Sequence, residues 1–163
     1  MVHGPWSMVF SKLMRVVIQR VTAAAVKCES GHADKIGTGL LIFLGVEESD
    51  TFEDIRWLTA KIINLRIFND AESVMNRSLQ DVSGELMVIS QFTLHASTKK
   101  GNRPSYIKAA PASTAEPLYR KFIEQLRSDS GLNVKHGVFG DMMEVSLVND
   151  GPVTILIDTK NKE

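Results

Sequence analysis

The first part of the chain carries the apolar and polar patterning of β-strands. Residues 15–21 and 24–28 are rich in β-branched and apolar residues, a composition that favours strands. The polar residues 29–34 predict a hairpin turn, and the apolar residues 36–46, punctuated by glycines, predict the next strand. The pattern therefore predicts that this part of the chain builds a sheet through hairpins.

A first amphipathic helix is predicted after this strand. Asp50 is followed three residues later by Glu53, which is the spacing of an N-cap and its partner. Apolar residues then recur at helical spacing, at Ile55, Leu58 and Ile62. We therefore predict that the helix begins at Asp50.

A second helix is predicted in the C-terminal half. Residues 113–116 have the sequence of a capping box, and Pro117 is tolerated in the first turn of a helix. Gly131 predicts where the helix ends. Its apolar stripe consists of Leu118, Phe122 and Leu126.

The other segments with strand character are short. They are residues 65–68, residues 85–92, and a terminal hairpin in which residues 143–148 and 153–157 flank a turn at 149–152. Strands outnumber helices and hairpins dominate. The sequence therefore predicts a single compact α/β domain with a mostly antiparallel or barrel-like sheet and two main helices.

Residues 1–13 stand apart from this pattern. They show neither strand nor helix periodicity, and they lack the apolar core of a secretory signal. Met14 directly precedes the first strand. We therefore interpret residues 1–13 as an N-terminal extension or an added leader, and residues 14–163 as the domain.

Composition narrows the classes of function. The 163 residues contain 19 basic and 19 acidic side chains, so any nucleic-acid binding must come from a local patch rather than from net charge. The longest apolar run, residues 40–44, is far short of the ~20 residues of a membrane helix. Cys28 has no partner for a disulfide, which indicates a reducing compartment and predicts a cytoplasmic protein.

The sequence lacks the motifs of the common nucleophilic, metal-dependent and cofactor-dependent enzymes. It contains no nucleophile elbow, zinc-protease motif, phosphate-binding loop, dinucleotide-binding motif or paired cysteines. His32, His95 and His136 lie far apart and are interpreted as surface or locally bonded residues. Asp141 and Glu144 are interpreted as solvated. The sequence therefore predicts no bound metal and no cofactor.

Two segments remain as candidates for a site. Residues 90–94, SQFTL, end a buried strand, and residues 149–154, NDGPVT, contain a Gly-Pro turn. Taken singly, each is also typical of an ordinary strand end or an ordinary hairpin turn. Pro152 is a candidate for a cis peptide bond, which would hold two carbonyl groups in a rigid arrangement.

Taken together with the opening VVIQRV, residues 16–21, these segments resemble the D-aminoacyl-tRNA deacylase family. Three further segments extend the resemblance: NLRIF at residues 64–68, TKKGNRPSY at residues 98–106 and FGDMMEV at residues 139–145. The resemblance runs in order from Met14 to nearly the C-terminus. Either main motif alone is weak, whereas both in this order are specific.

The resemblance implies an enzyme that hydrolyses the ester between a D-amino acid and the terminal adenosine of tRNA. It also implies removal of glycine from mischarged tRNA and rejection of L-aminoacyl esters. The expected assembly is a homodimer with two active sites at the interface, without metal or cofactor. In it, the Gly-cisPro loop of each subunit reaches into the pocket of the other.

The family motifs carry over residue by residue. Gly151 and Pro152 match the Gly-cisPro motif, which would reject L-amino acids by the close approach of a rigid backbone. A related family that acts on mischarged L-alanyl-tRNA has Pro and Ala in the strand-end motif, where this chain has Ser and Phe. The strand-end motif is formed by Ser90, Gln91, Phe92 and Thr93.

We expect the RNA itself to assist catalysis. In this reading the 2′-hydroxyl beside the ester activates water, and backbone N–H groups near Phe92 and Thr93 stabilise the oxyanion. Lys99, Lys100 and Arg103 are expected to meet tRNA phosphates, although a merely solvated loop has the same pattern. The alternative function is a non-catalytic module that binds nucleic-acid ends.

Overall fold

The structure is a computed structural model that describes residues 14–162. The predicted extension, residues 1–13, lies outside the described residues, so its assignment stays a prediction. The domain predicted from Met14 onward begins directly with a strand, and Met14 itself is fully buried.

The described chain contains two α-helices, as predicted, among eight strands. The elements are, in chain order, β1 (Arg15–Cys28), β2 (Ala33–Ile36), β3 (Gly39–Gly45), α1 (Phe52–Asn64), β4 (Phe68–Asn69), β5 (Met75–Arg77), β6 (Glu85–Ser90), a 3₁₀ turn (Phe92–His95), α2 (Ala112–Ser130), β7 (Val134–His136) and β8 (Met143–Asp158).

Strand β1 organises a mixed six-stranded sheet. It pairs antiparallel with β2, β3 and β8, and the sheet continues from β3 through parallel pairing with β6 and then β7. Parallel neighbours need a long crossover, and α1 lies in the segment between β3 and β6. The sheet nearly closes as a barrel, and the predicted fold class is confirmed.

Strand β3 is covered on both of its faces. Leu40 and Ile42 of β3 belong to the cluster that packs under the helices, together with Phe122 of α2. Leu41, between them, points to the opposite face and packs inside the barrel with Met87. Strand β3 is therefore continuously apolar, which is typical of a strand buried on both sides.

Both helices begin elsewhere than the sequence predicts. The N-cap of α1 is Thr51, and Asp54 accepts its backbone N–H at 2.9 Å, so the capping box lies one residue later than expected. Helix α2 begins at Ala112 after Pro111, without a side-chain cap. Pro117 consequently lies in the second turn rather than the first.

Several strand boundaries also differ. The predicted strand 36–46 is divided between β2 and β3, and strand 85–92 ends at Ser90, where the chain turns into the 3₁₀ turn. Only Phe68 of the predicted strand 65–68 enters a strand, and the sequence predicts neither β5 nor β7. Such short strands are fixed by their pairing partners more than by their own composition.

The predicted terminal hairpin is wrong. Residues 143–158 form one strand, β8, which pairs antiparallel with β1 on both sides of the Gly-Pro segment. The register shifts in the middle, where Gln19 faces Thr154 but Val21 faces Asn149. Residues 150–153 therefore stand opposite Arg20 alone and form a bulge. The Gly-Pro segment is this bulge and not a turn between two strands.

No helix among residues 14–162 is long and apolar enough to cross a membrane. Cys28 is buried and is a free thiol.

A buried carboxyl group lies just before α1. Asp50, which the sequence suggested as the N-cap, accepts the N–H of Glu47 at 2.7 Å through Oδ2, whereas its buried Oδ1 has no hydrogen-bond partner among the described residues. Burial raises the pKa of Asp50 to about 7, and the nearby carboxylate of Asp54 acts in the same direction. This carboxyl group is therefore destabilising when it is ionised.

We expect Asp50→Asn to stabilise the protein more at pH 8 than at pH 5. The unfolded carboxyl ionises near pH 3.8 and the folded one near pH 7, so between these values ionisation favours the unfolded wild type. Asparagine keeps the acceptor for Glu47 without the charge. The gain in unfolding free energy over wild type should grow by on the order of 2 kcal/mol from pH 5 to pH 8. Urea unfolding measures it, and a pH-independent difference would contradict it.

Candidate functional site

The strand-end motif lies where β6 leaves the sheet. Ser90 is the last residue of β6 and pairs with Leu44 of β3, and the N–H of Gln91 donates to the carbonyl of Leu44 at 2.8 Å. The 3₁₀ turn then begins with Phe92, whose side chain is 57% exposed. The four predicted residues therefore lie at the end of β6, where Phe92 is exposed and the other three are partly exposed.

The first main-chain donors of this turn precede its hydrogen bonds. The first hydrogen bond of the turn runs from Leu94 N–H to the carbonyl of Gln91. The N–H groups of Phe92 and Thr93 precede it, and such leading donors have no partner within a helical turn. The side-chain amide of Gln91 donates to the hydroxyl of Thr93. An amide is not a base, so this contact orients the hydroxyl and does not activate it.

The backbone of the Gly-Pro bulge is exposed, and hydrogen bonds within the bulge fix its conformation. The Gly151–Pro152 peptide bond is cis, and Gly151 has a φ of 113°, a conformation that a residue with a side chain adopts only with strain. Asn149 braces the bulge, because its Oδ1 accepts the N–H of Val153 at 3.3 Å and its Nδ2 donates to Thr154 at 3.1 Å.

Arg20 lies beneath the bulge and was not predicted as a site residue. It is only 5% exposed. Its Nε lies 3.3 Å from the carbonyl oxygen and 3.2 Å from the carboxylate of Asp150, and Nη1 donates to the carbonyl of Ile67 at 2.7 Å. A Cβ on Gly151 would lie 2.8 Å from Nη2. The guanidinium therefore occupies the space beside Gly151.

The sequence pattern of β1 indicates that Arg20 is buried. In a strand, alternate residues share a face, and Arg20 falls on the same face as Val16 and Ile18, which are fully buried. A charged residue at an inward position needs buried partners. That reasoning singles out Arg20 even though it does not identify the partners.

The two motifs are not brought together within one chain. Ser90 aligns through β3 with Val16 of β1, whereas the bulge stands opposite Arg20. Followed along the curved sheet at ~3.3 Å per residue and ~4.8 Å per strand, this offset is about 13 Å along the strands and about 14 Å across them. A single small ligand therefore does not contact both segments of the same chain.

The predicted basic loop follows the 3₁₀ turn directly. Ser97 and Ser105 close it with two backbone hydrogen bonds of 2.8 and 2.9 Å. Lys99, Lys100 and Arg103 are all exposed between these two residues. The structure thus places the three cations together on a loop attached to the strand-end motif.

An aromatic pair joins this loop to the motif. The rings of Phe92 and Tyr106 meet edge to face at 5.0 Å between centroids, and Ile107 beside them is 86% exposed. The sequence indicates Tyr106 only as part of the segment TKKGNRPSY. The pair gives the motif a partly apolar surface beside the cations.

The histidines and Asp141, which the sequence analysis interpreted as non-catalytic, make contacts within the fold. His32 and His136 stack at 5.8 Å, and hydrogen bonds from Ser30 lower the pKa of Asp141. His95, interpreted as a surface or locally bonded residue, is buried against Glu47. Among residues 14–162, no group of three or more histidine, cysteine or acidic residues could hold a metal ion.

Comparison with known proteins agrees with the motifs. A sequence model of the D-Tyr-tRNA(Tyr) deacylase family matches residues 17–158. A D-aminoacyl-tRNA deacylase of Flavobacterium psychrophilum is 59% identical over 150 residues, which are 92% of this chain and 100% of that protein. The D-aminoacyl-tRNA deacylase of Bacteroides thetaiotaomicron is 57% identical, with the same coverage of 92% and 100%.

Solved structures show the same fold. The c-Myc DNA Unwinding Element Binding Protein superposes with a TM-score of 0.81 at 40% identity, over 88% of this chain and 97% of that one. A probable eukaryotic D-amino acid tRNA deacylase superposes with a TM-score of 0.78 over 90% and 99% of the two chains. At 17% identity, this second likeness supports the fold alone. The resemblance inferred from the two motifs is confirmed, and the chain belongs to the D-Tyr-tRNA(Tyr) deacylase family.

Proposed function

We propose that this protein hydrolyses the ester of D-aminoacyl-tRNA and releases the D-amino acid and free tRNA. The observation that carries the proposal is the rigid Gly151–Pro152 bulge held over Arg20 in a chain of this family. The lone buried cysteine, Cys28, favours action in a reducing compartment such as the cytoplasm.

Selection between mirror-image substrates needs a fixed geometry. D- and L-esters carry the same groups, so affinity for those groups does not distinguish them. A backbone that meets the α-carbon from one direction leaves no space for the L side chain, and this clash provides the selectivity. Gly151 permits close approach, and the bulge is braced by Arg20 and Asn149. A substrate glycine has no side chain to clash, so glycyl-tRNA is a further proposed substrate.

The separation of the two motifs supports a homodimer with shared sites. One chain does not bring the bulge to its own strand-end motif, whereas a second copy related by a two-fold axis supplies the missing segment at each of two equivalent sites. We therefore propose that Gly151 and Pro152 of each subunit complete the pocket formed by Ser90 to Thr93 of the other.

The main chain is proposed to stabilise the transition state. The N–H groups of Phe92 and Thr93, which lead the 3₁₀ turn, are suited to an oxyanion. The Thr93 hydroxyl is held by Gln91 and faces no base in that contact, which favours a positioning role over attack by Thr93. The 2′-hydroxyl of the terminal adenosine would orient the attacking water, so no metal or cofactor is needed.

The basic loop is proposed to bind tRNA. Lys99, Lys100 and Arg103 are exposed next to the strand-end motif, where phosphates of the acceptor stem would lie when the 3′ end is bound. Ser90 and Gln91 are proposed to hold the strand end and the terminal adenosine. Cations on a short closed loop add to affinity mainly through phosphate contacts.

A second candidate function has one specific observation in its favour. The solved structure at 40% identity is described as a DNA-unwinding-element binding protein, so a member of this fold is named for binding DNA. We therefore retain, as the alternative, a non-catalytic module that binds nucleic-acid ends.

We expect the protein to release tyrosine from D-tyrosyl-tRNA at a rate at least about 100-fold above that from L-tyrosyl-tRNA, because the clash with the wrong isomer acts on every turnover. Release of labelled amino acid measures both rates. L-alanyl-tRNA, run in parallel, tests the related specificity. Tight binding of the tRNA 3′ end without hydrolysis would instead favour the binding module.

We expect Gly151→Ala to lose about 100-fold or more in single-turnover hydrolysis of D-tyrosyl-tRNA, because a methyl group enters both the substrate's space and that of Arg20. Thr93→Ala should keep at least about a tenth of the rate, since it removes a positioning contact and not a nucleophile.

Gly131→Ala is the matched control for this comparison. Gly131 also has a positive φ, of 65°, at the end of α2, and a Cβ there meets nothing within 4 Å. The variant should lose about 1 kcal/mol of stability with full activity. An inactive, folded Thr93→Ala beside an active Gly151→Ala would assign catalysis to the hydroxyl.

We expect two inactive variants to restore activity when their subunits are exchanged. Phe92→Pro removes one leading N–H from the turn, at a position that tolerates proline, and Gly151→Ala disables the bulge. In a mixed dimer with shared sites, one site combines two intact motifs. Random mixing should then restore about a quarter of the wild-type activity.

Differently tagged chains would show in parallel whether the subunits exchange. Exchange without recovered activity, or a fully active monomer by mass measurement, would contradict the shared site.

A further inference from the structure

The 3₁₀ turn that carries Phe92 and Thr93 ends on a buried histidine. His95 is 3% exposed, and its Nδ1 lies 3.2 Å from Oε1 of Glu47. Glu47, itself 6% exposed, lies in the loop between β3 and α1. The pair thus links the turn to a separate element of the fold, in an environment where a hydrogen bond to a carboxylate is strong.

The histidine ring fits against the end of β3 at close range. A Cβ on Gly45 would lie 2.9 Å from Nε2 of His95 and 3.1 Å from the carbonyl oxygen of Gln91. Nε2 is buried and has no hydrogen-bond partner among the described residues. The Nδ1 contact with Glu47 is therefore the polar contact that fixes the orientation of the ring.

Three contacts from three elements hold the turn in place. Gln91 N–H donates to the carbonyl of Leu44 on β3, and Nη1 of Arg15 on β1 donates to the carbonyl of Leu94 at 2.9 Å. The His95–Glu47 pair is the third contact and the only one of these made by a side chain of the turn itself. Along the chain, the His95 contact follows Phe92 and Thr93, whereas the Gln91 contact precedes them.

Glu47 also reaches the segment that returns from the basic loop. Its backbone bridges to Ala109, and the N–H of Ala110 donates to the carbonyl of Val46 at 2.9 Å. The same acidic residue thus touches the turn through its side chain and the returning segment through its backbone. The N–H of Glu47 donates to Oδ2 of Asp50 at 2.7 Å, which gives the backbone of Glu47 a further contact.

We propose that His95 and Glu47 are a positioning pair that sets the orientation of the Phe92 and Thr93 N–H groups for hydrolysis. The inference rests on the proposed function, because it assigns these N–H groups to the oxyanion. His95 acts through the turn and not on the substrate, since its ring is enclosed between Gly45 and Glu47. Small errors in such donor positions lower the rate of the chemical step more than they weaken binding.

The test compares His95→Leu with His95→Asn in the full chain. Leucine removes the donor, whereas the amide nitrogen of asparagine falls near the place of Nδ1 and restores it. We expect His95→Leu to lower kcat for D-tyrosyl-tRNA about 10-fold with KM within 2-fold of wild type. His95→Asn should stay within 3-fold of wild-type kcat. The backbone amide signals of Phe92 and Thr93 in NMR spectra should shift in His95→Leu and far less in His95→Asn.

Ser130→Ala is the matched control, because it also removes a buried hydrogen bond, from the Ser130 hydroxyl to the carbonyl of Leu126. This residue contacts Gln80 near the start of β6, at the opposite end of that strand from the turn. The control should lower the melting temperature without changing kcat or the two amide signals.

Distinct outcomes separate the inference from the proposed function. A lowered melting temperature with wild-type kcat in His95→Leu, a change confined to KM, or equal losses in the leucine and asparagine variants would each overturn the positioning role. If His95→Leu does not fold, Glu47→Met, which keeps side-chain length and removes the acceptor, must lower kcat by the same factor. Failure of the wild type to hydrolyse D-tyrosyl-tRNA overturns the proposed function, whereas the amide signals still report whether the pair orients the turn.

Discussion

The burial of Arg20 is the constraint on which the candidate site depends. A guanidinium removed from water must find acceptors within the protein, because an unpaired buried charge costs several kcal/mol. Arg20 finds them in Ile67 and Asp150. Since Asp150 belongs to the bulge, satisfying the arginine also fixes the backbone at Gly151. The need to pair a buried charge therefore determines the conformation of the exposed Gly-Pro bulge.

The same arrangement explains why the sequence predicts some parts of this fold and not others. The helical faces around Ile55 and Phe122 follow from local periodicity, which a sequence displays directly. The conformation of residues 149–152 does not. Their composition favours a turn, but β8 continues through them because its residues on both sides pair with β1. Pairing across more than 100 positions of sequence is invisible to a local pattern.

The sequence motifs identify the two segments of the candidate site, but they do not identify the residues that support these segments. Ser90 to Thr93 and Gly151–Pro152 are recognisable as segments, whereas Arg20 and His95 act through partners that only the fold brings near them. Both lie on strands or turns whose neighbours are distant in sequence. Backbone geometry at both motifs is set by side chains that lie beneath them, and these side chains belong to neither motif.

The two hydrogen bonds between Ser97 and Ser105 separate the basic loop from the turn that precedes it. Once the ends of a loop are tied, doubling its length costs only about 0.6 kcal/mol in closure entropy. The tip can therefore gain, lose or exchange charged residues while the turn stays in place. The charge that this loop presents can therefore change without altering the geometry of the turn.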